Sequence, residues 1–264
     1  QSFFDNISDS LVDKTICQAL TGGYDSRLVF ACLNKYIDTH PFISGDVDEE
    51  KDIIVAKKVA VAGGKELKQI KTKKPLVSEE LIFKMFESGD GLLPCSNAAH
   101  YRINDFMETQ CSKGFDCLLT GDGGVLHKDW EWMQDLPFYH KRNTNINKFY
   151  KQRIAFDRET QNVGHRLAIH LDQQEKVFIK NTAQYIKDIN TKSYDYLYYY
   201  VNGDKRRDYS LQVGSLYNYA PLMEFELVKY SYNLPRRKRF FYNSMRQVIS
   251  QADEKIAKVP TVYG

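Results

Sequence analysis

The residues best suited to chemistry stand in one glycine-containing segment, Thr21–Ser26, with the sequence Thr-Gly-Gly-Tyr-Asp-Ser. Gly22 and Gly23 allow a tight turn that brings backbone N–H groups against an anion, and the flanking hydroxyls add donors. A helix that starts at the end of such a loop points its positive end at the same place. Asp25 would repel a phosphate by itself, and its presence is explained if it holds Mg²⁺ that bridges to phosphate oxygens. The segment therefore predicts a phosphate and magnesium site.

The same segment has a plainer interpretation, a glycine turn in which Asp25 caps the following helix. The sequence contains neither the Walker A pattern GxxxxGK[ST] nor the GxGxxG pattern of dinucleotide-binding folds. The elements on either side of the loop must therefore decide between the two interpretations.

Apolar runs and amphipathic stretches alternate through the first half of the chain. Short apolar runs suit buried parallel strands, and longer amphipathic stretches suit helices. The predicted strands are Thr15–Leu20, His40–Ser44, Glu66–Lys71 and Phe115–Leu119, and the predicted helices are Ser26–Tyr36, Asp48–Ala62, Ser78–Glu87 and Asn97–Ser112. The alternation predicts an α/β fold with a doubly wound, mostly parallel sheet.

The second half lacks this alternation and differs in charge. Residues 1–130 carry 15 Lys/Arg against 20 Asp/Glu, and residues 131–264 carry 22 against 14. The helical patterns here cover residues 147–156, 165–189, 223–233 and 240–252. We therefore predict a nucleotide-binding α/β core over residues 1–135 and a mainly helical region over residues 136–264. The basic half could meet an anionic partner, although a solvated basic surface is the commoner explanation.

The composition bounds the class of protein. Hydrophobic residues make up 42% and charged residues 27%, with a net charge of +3, which excludes a disordered tail or a fibre. The apolar runs are too short to span a bilayer, and the first residues show no leader pattern. Five cysteines without a CxxC pair fit a reducing compartment. We expect a cytoplasmic protein in which Cys17 and Cys32 are core thiols.

Other candidate groups have weaker patterns. His127 follows a second glycine loop, and a packing or surface role is favoured over a catalytic one. The clusters Lys205–Arg207 and Arg236–Arg239 could contact RNA or form solvated faces. The tyrosines of residues 194–200 could stack a ligand, but packing between helices is favoured.

The chain resembles a known family. Its glycine segment closely matches the Ser-Gly-Gly-x-Asp-Ser loop of PP-loop ATP pyrophosphatases. Further segments are similar to the synthetase domain of asparagine synthase-like proteins, in consistent order through nearly the whole chain. They are Phe42–Gly45 with Asp48-Glu49 and the helix after them, Leu119–Gly124, Ala220–Glu224, Leu227-Val228 and Leu234-Pro235.

The resemblance implies an ATP-dependent carbon–nitrogen ligase. Members adenylate a carboxylate, release pyrophosphate and let ammonia or an amine displace AMP to form an amide. The implied cofactors are ATP and Mg²⁺, and the implied partners are a small-molecule or peptide carboxylate and a separate glutaminase or amine donor. We expect no membrane partner and no nucleic acid.

By position, the resemblance also assigns the site residues. The pyrophosphate and Mg²⁺ would be held by Thr21, Gly22, Gly23, Asp25 and Ser26. Leu20, Ser44 and Gly121 would lie near the adenine and ribose, mostly through backbone groups. Asp25 would be a catalytic residue and a metal ligand. Asp122 or Asp129 would substitute for the family's second metal ligand, and Asp122 is the candidate that we assign to catalysis and metal binding.

The sequence also departs from the family. The second loop continues with Val125-Leu126, where the family has Asp-Glu. The segment Leu216–Pro221 lacks the family's Glu and Arg, and the family's late lysine has only Lys255 and Lys258 as nearby candidates. Two alternatives therefore stay open: a non-catalytic nucleotide-binding or regulatory homologue, and a PP-loop enzyme that acts on tRNA.

Overall fold

A five-stranded parallel sheet lies at the centre of the structure. The structure is a computed structural model and describes residues 2–44, 50–70, 78–80, 82–83, 113–128, 169–170, 172–174, 176–177, 180–181 and 216–262. The strands are β1 (Ile16–Ala19), β2 (Thr39–Ser44), β3 (Lys68–Ile70), β4 (Cys117–Leu119) and β5 (Tyr217–Tyr219). They lie in the order β3-β2-β1-β4-β5, and every neighbouring pair is parallel.

The direction in which strands are added reverses beside β1. The chain places β2 and β3 on one side of β1, and β4 and β5 on the other. The carboxyl ends of β1 and β4 therefore flank a topological switch point, where the connections leave in opposite directions and open a crevice. The predicted α/β class, with a doubly wound parallel sheet, is confirmed.

Helices precede, connect and follow the strands along the chain. They are α1 (Ser2–Leu11), α2 (Asp25–Leu33), α3 (Glu50–Ala62), α4 (Phe225–Asn233), α5 (Arg236–Arg239), α6 (Asn243–Ala252) and α7 (Glu254–Ala257). Short 3-10 turns cover Gly124–His127, Pro221–Met223 and Phe240–Tyr242. Four predicted helices correspond to α2, α3, α4 and α6. None of the described helices is long and apolar enough to cross a membrane.

Some predicted elements cannot be compared with the structure. The helices predicted over residues 97–112 and 147–156 lie outside the described residues. The helix predicted over residues 165–189 lies mostly outside them, and half of the residues of the helix predicted over 78–87 lie outside them. The tyrosine run at 194–200 and the basic cluster Lys205–Arg207 also lie outside them.

Successive strand residues pack into two different apolar clusters. Ile16 and Leu119 join the larger cluster with side chains of α2 and α3, whereas Cys17 and Leu118 join a smaller one. This alternation is what a sheet covered on both faces requires. All residues of α2 from Ser26 to its end are buried. Cys17 and Cys32 are buried free thiols, as predicted.

The last part of the chain completes the same unit. Gln1–Trp130 and Arg207–Gly264 form one compact unit, and Glu131–Arg206 form another. β5 pairs with β4, and α6 packs against α2. The sequence predicted only helices in this part of the chain, because the three residues of β5, Tyr-Asn-Tyr, show no strand-like apolar run.

Candidate functional site

Two glycine loops meet at the switch point of the sheet. The first, residues 21–24, follows β1, and the second, residues 120–128, follows β4 and includes the 3-10 turn Gly124–His127. A Cβ atom placed on Gly121 would lie 2.4 Å from the backbone nitrogen of Ser26 and 2.8 Å from the carbonyl carbon of Asp25. The second loop therefore touches the first turn of α2 backbone to backbone, which only glycine allows.

Internal hydrogen bonds fix the shape of the first loop. The Thr21 N–H donates to the Ser26 hydroxyl at 3.0 Å, and the two hydroxyls are also 3.0 Å apart. The Gly22 N–H donates to the carboxylate of Asp52 in α3 at 2.7 Å. The Gly23 N–H reaches Thr21 Oγ1 only at 3.4 Å. Gly23 is therefore the more weakly bonded of the two loop glycines.

The two adjacent glycines have different surroundings. A Cβ on Gly22 would lie 2.7 Å from both Asp52 Oδ1 and Val262 Cγ1, so the fold itself needs glycine there. Among the described residues, a Cβ on Gly23 would meet only Thr21 Oγ1, at 3.6 Å, which is ordinary van der Waals contact. Its backbone is also not left-handed. The fold therefore has room for a side chain at Gly23.

Asp25 does not cap α2. The N-cap residue is Tyr24, which makes no side-chain cap hydrogen bond, and Asp25 is the first helical residue. The helix-capping interpretation of Asp25 is therefore wrong. Its carboxylate instead turns to the second loop, where a Cβ on Gly124 would lie 2.1 Å from the Asp25 Cγ.

A lysine from the second loop neutralises Asp25. The Lys128 Nζ donates to both carboxylate oxygens, at 2.7 and 3.1 Å. The ion pair is well shielded, with 12% of the Lys128 side chain and 30% of the Asp25 side chain exposed. The ammonium also lies 5.1 Å from the ring centre of Tyr242. Sequence reasoning missed Lys128, because the sequence marks it only by its position shortly after the glycines of this loop.

Asp122, in the second loop, interacts with the charge of Asp25 but has a different hydrogen-bond partner. Burial raises its pKa, and the charge of Asp25 raises it further, while the Thr120 hydroxyl that donates to Asp122 Oδ2 at 2.8 Å lowers it. Among the described residues, no three Asp, Glu, His or Cys side chains are grouped to hold a metal. With Lys128 bonded to both oxygens of Asp25, this donor set does not fit the magnesium ion predicted there.

A buried arginine ties the first loop to the end of the described chain. Arg27 is 1% exposed and donates to the carbonyl oxygens of Gly22 at 3.2 Å and Pro260 at 3.1 Å, and to that of Val259. Burial lowers the pKa of its guanidinium group. Sequence reasoning also missed this contact, which joins residues far apart in the chain.

Aromatic side chains line the outer edge of the first loop. The rings of Tyr24 and Tyr242 stack with their centres 4.8 Å apart, and the Arg246 guanidinium lies 5.7 Å from the Tyr24 ring centre. Phe241 and Tyr242 have left-handed φ angles of 50° and 59°. Bulky residues in this region are strained, a feature that is concentrated at functional sites.

The remaining predicted residues are placed as follows. Leu20 is buried, and its N–H donates to the Phe42 carbonyl at 2.8 Å. Ser44 ends β2 opposite Ile70 in β3. His127 is buried, with its ring nitrogens 2.5 Å from Ser231 Oγ and 2.7 Å from the Leu222 carbonyl, a packing role.

Two of the basic candidates in the last part of the chain have partners outside the two glycine loops. Lys258 pairs with the exposed Glu254 at 2.8 Å. Arg239 is buried and donates to the Ser231 carbonyl, so the Arg236–Arg239 cluster is not one solvated face.

The sheet order and the two loops define an open, parallel α/β protein with two glycine loops in contact at its switch point. In comparisons with known proteins, the chain shows no significant match to any family model or to any curated protein.

Proposed function

We propose that the chain binds ATP in the crevice between β1 and β4 and uses it to adenylate a carboxylate for amide formation. The observation that carries this proposal is the meeting of two glycine loops at the switch point, with Gly23 open. Open α/β sheets bind ligands in the crevice at this position. The polyphosphate would lie against the first loop and the amino end of α2, whose dipole favours negative charge.

Gly23 supports a ligand-binding loop over a structural turn. Glycine costs folding free energy through its flexible unfolded state, and alanine at a tolerant position gains about 0.4–1 kcal/mol. The described part of the fold does not require glycine at this position, since a Cβ atom there would meet only Thr21 Oγ1 at 3.6 Å among the described residues. A phosphate bound against the Gly23 backbone would explain why this residue is glycine, because a side chain would obstruct its approach. The Gly22 N–H is already engaged by Asp52, so we expect the phosphate to contact the Gly23 amide first.

The proposed chemistry assigns roles to the other residues. A carboxylate oxygen of the substrate attacks the α-phosphorus, and the bond to pyrophosphate breaks. An amine then attacks the acyl carbon, and AMP leaves. Leu20, Ser44 and Gly121 would lie beside the adenine and ribose. Asp25 would orient Lys128 toward the phosphates, and Asp122 would accept the proton of the attacking amine, since its raised pKa makes it a better base than an exposed carboxylate.

Calorimetry with ATP tests the binding step. We expect wild-type protein to bind ATP, and Gly23→Ala to bind it at least about tenfold more weakly while it melts at or slightly above the wild-type temperature. Gly114→Asn is the control, because a Cβ on this glycine would meet no described residue within 4 Å and its left-handed φ of 83° is one that Asn tolerates. The control should bind ATP as the wild type does. Equal affinity of Gly23→Ala and wild type would exclude a phosphate at this amide.

A second candidate function is nucleotide binding without turnover. It is favoured by the ion pair on Asp25 and by Val125, an apolar residue in the second loop where the resembled family has a carboxylate. Pyrophosphate release separates the two candidates, measured with ATP, a panel of carboxylates and hydroxylamine as the amine. Release that depends on the carboxylate supports the ligase. ATP binding without release from any carboxylate supports the second candidate.

A further inference from the structure

We infer that the Lys128 ammonium group takes the place of a divalent metal ion at Asp25, so that the crevice binds a nucleotide without a protein-bound metal. The inference rests on the proposed function for its nucleotide part. Its metal part concerns residues of this chain alone and is tested separately.

The contact geometry is that of a cation bound by a carboxylate. One nitrogen lies 2.7 Å from one Asp25 oxygen and 3.1 Å from the other, so a single point charge bridges both. An ammonium group has three N–H donors, and two of them are directed at Asp25. A phosphate oxygen would accept the third. Lysine is a common phosphate ligand that acts in this way, as a compact point charge.

Three parts of the fold hold the ammonium at this position. Gly124 has no side chain, which lets the Asp25 carboxylate lie against the second loop. The 3-10 turn Gly124–His127 is anchored by buried Leu126 and His127, and Lys128 leaves it in an extended conformation. The Tyr242 ring then faces the ammonium at 5.1 Å, a distance at which a cation is attracted to the ring. The lysine is thus held by the fold and is not a mobile surface charge.

A magnesium ion at Asp25 would compete with this arrangement. Mg²⁺ requires near-octahedral oxygen ligands at about 2.0–2.1 Å, and it would have to displace a shielded ammonium from both oxygens. Where the resembled family has a carboxylate in this loop, the chain has Val125, whose side chain has no ligand atom, and the predicted ligand Asp122 accepts a hydrogen bond from the Thr120 hydroxyl at 2.8 Å. The charge that balances Asp25 is therefore already supplied by the chain.

Mn²⁺ binding to the protein without nucleotide tests the metal part, with electron paramagnetic resonance as the readout. Carboxylate sites for Mg²⁺ also accept Mn²⁺. We expect wild-type protein to bind Mn²⁺ weakly and Lys128→Met to bind it at least about tenfold more tightly. Adding Asp25→Asn to Lys128→Met should abolish the gain. Lys258→Met removes a lysine from an exposed carboxylate pair of similar length and should behave as the wild type does.

Two results would overturn the metal part. One is tight Mn²⁺ binding by wild-type protein that Asp25→Asn removes, because the metal would then share Asp25 with the lysine. The other is the absence of any gain in Lys128→Met that melts cooperatively. If Lys128→Met does not fold, Mn²⁺ titrations of the wild type and of Asp25→Asn still show whether a metal ion or the ammonium group occupies the position at Asp25.

ATP calorimetry in Mg²⁺ and in EDTA tests the nucleotide part. We expect wild-type affinities within about threefold of each other in the two buffers. Lys128→Met should lose at least about tenfold in EDTA and recover part of the loss in Mg²⁺. Wild-type binding that requires Mg²⁺ would overturn the inference while the proposed function stands. If the protein binds no ATP in either buffer but gives the expected Mn²⁺ results, the proposed function is refuted. The metal part of the inference, that Lys128 occupies the cation position at Asp25, would still be supported.

Discussion

Replacement of Gly121 by alanine tests whether the two loops meet as described. The added Cβ would lie 2.4 Å from the Ser26 nitrogen, 2.7 Å from its Cα and 2.8 Å from the Asp25 carbonyl carbon, whereas ordinary contact begins at 3.4 Å. The second loop and α2 must therefore separate by about 1 Å. All three atoms belong to the backbone of a buried helix, so no side chain can rotate away. We expect the upper part of the usual range for overpacking, about 2–3 kcal/mol.

Thermal and urea unfolding measure this cost. For a chain of this size, 1 kcal/mol corresponds to about 2–4 °C, so Gly121→Ala should melt about 4–12 °C below the wild type. Gly23→Ala is the matched control, because it adds the same methyl group to the facing loop without a close contact. It should melt at the wild-type temperature or slightly above it. If Gly121→Ala melts with the control, the loops do not touch in solution, and the crevice as described is incorrect.

Three further predictions concern charge and burial. Burial raises the folded-state pKa of Asp122 above its unfolded-state pKa. The ionised Asp122 therefore lowers the free energy of unfolding at any pH above the unfolded-state pKa, and Asp122→Asn should be more stable than the wild type at pH 7. In thermal melts this advantage should shrink as the pH falls through the folded-state pKa, and an advantage that grows in acid would contradict the sign. Arg27→Lys cannot reach three carbonyls with one ammonium, so we expect a loss of about 2–4 kcal/mol in urea unfolding and faster proteolysis near Pro260. Burial raises the pKa of three thiols to about 12, those of Cys17, Cys32 and Cys117. We therefore expect iodoacetamide at pH 8 to label them only after the protein is unfolded, as measured by mass spectrometry.

The elements around the loops could be predicted because their signals are local. Short, mostly apolar runs predicted the bounds of β1, β2 and β4 to within one or two residues. The acidic residues at the start of α3 and the glycines at its end predicted its bounds equally well. Gly64 has the left-handed φ of 75° expected for the residue that ends a helix. Since parallel strands present their carboxyl ends at one edge, the strand pattern predicts that both loops lie at that edge; their contact follows from the pairing of β1 with β4, which the sequence did not predict.

The partners within the site could not be predicted, because each joins distant parts of the chain. Lys128 reaches Asp25 across 103 residues, and Arg27 reaches Pro260 across 233. Asp52 belongs to a helix whose sequence shows only an amphipathic pattern, yet it bonds to Gly22. β5 is defined by its pairing with β4 and not by its own three residues. Only the folded arrangement shows which charges already have partners.

The contact between Arg27 and residues 259–260 also sets when the loop can be finished during synthesis. The ribosome releases Arg27 232 residues before Val259 and 233 residues before Pro260, whose carbonyls accept from its guanidinium. Until those two residues emerge, Arg27 has only the Gly22 carbonyl of its three carbonyl partners. A nascent chain halted between residues 33 and 259 would hold β1 and α2 but not all the contacts that fix the first loop. The first loop is thus synthesised long before the residues that complete its contacts.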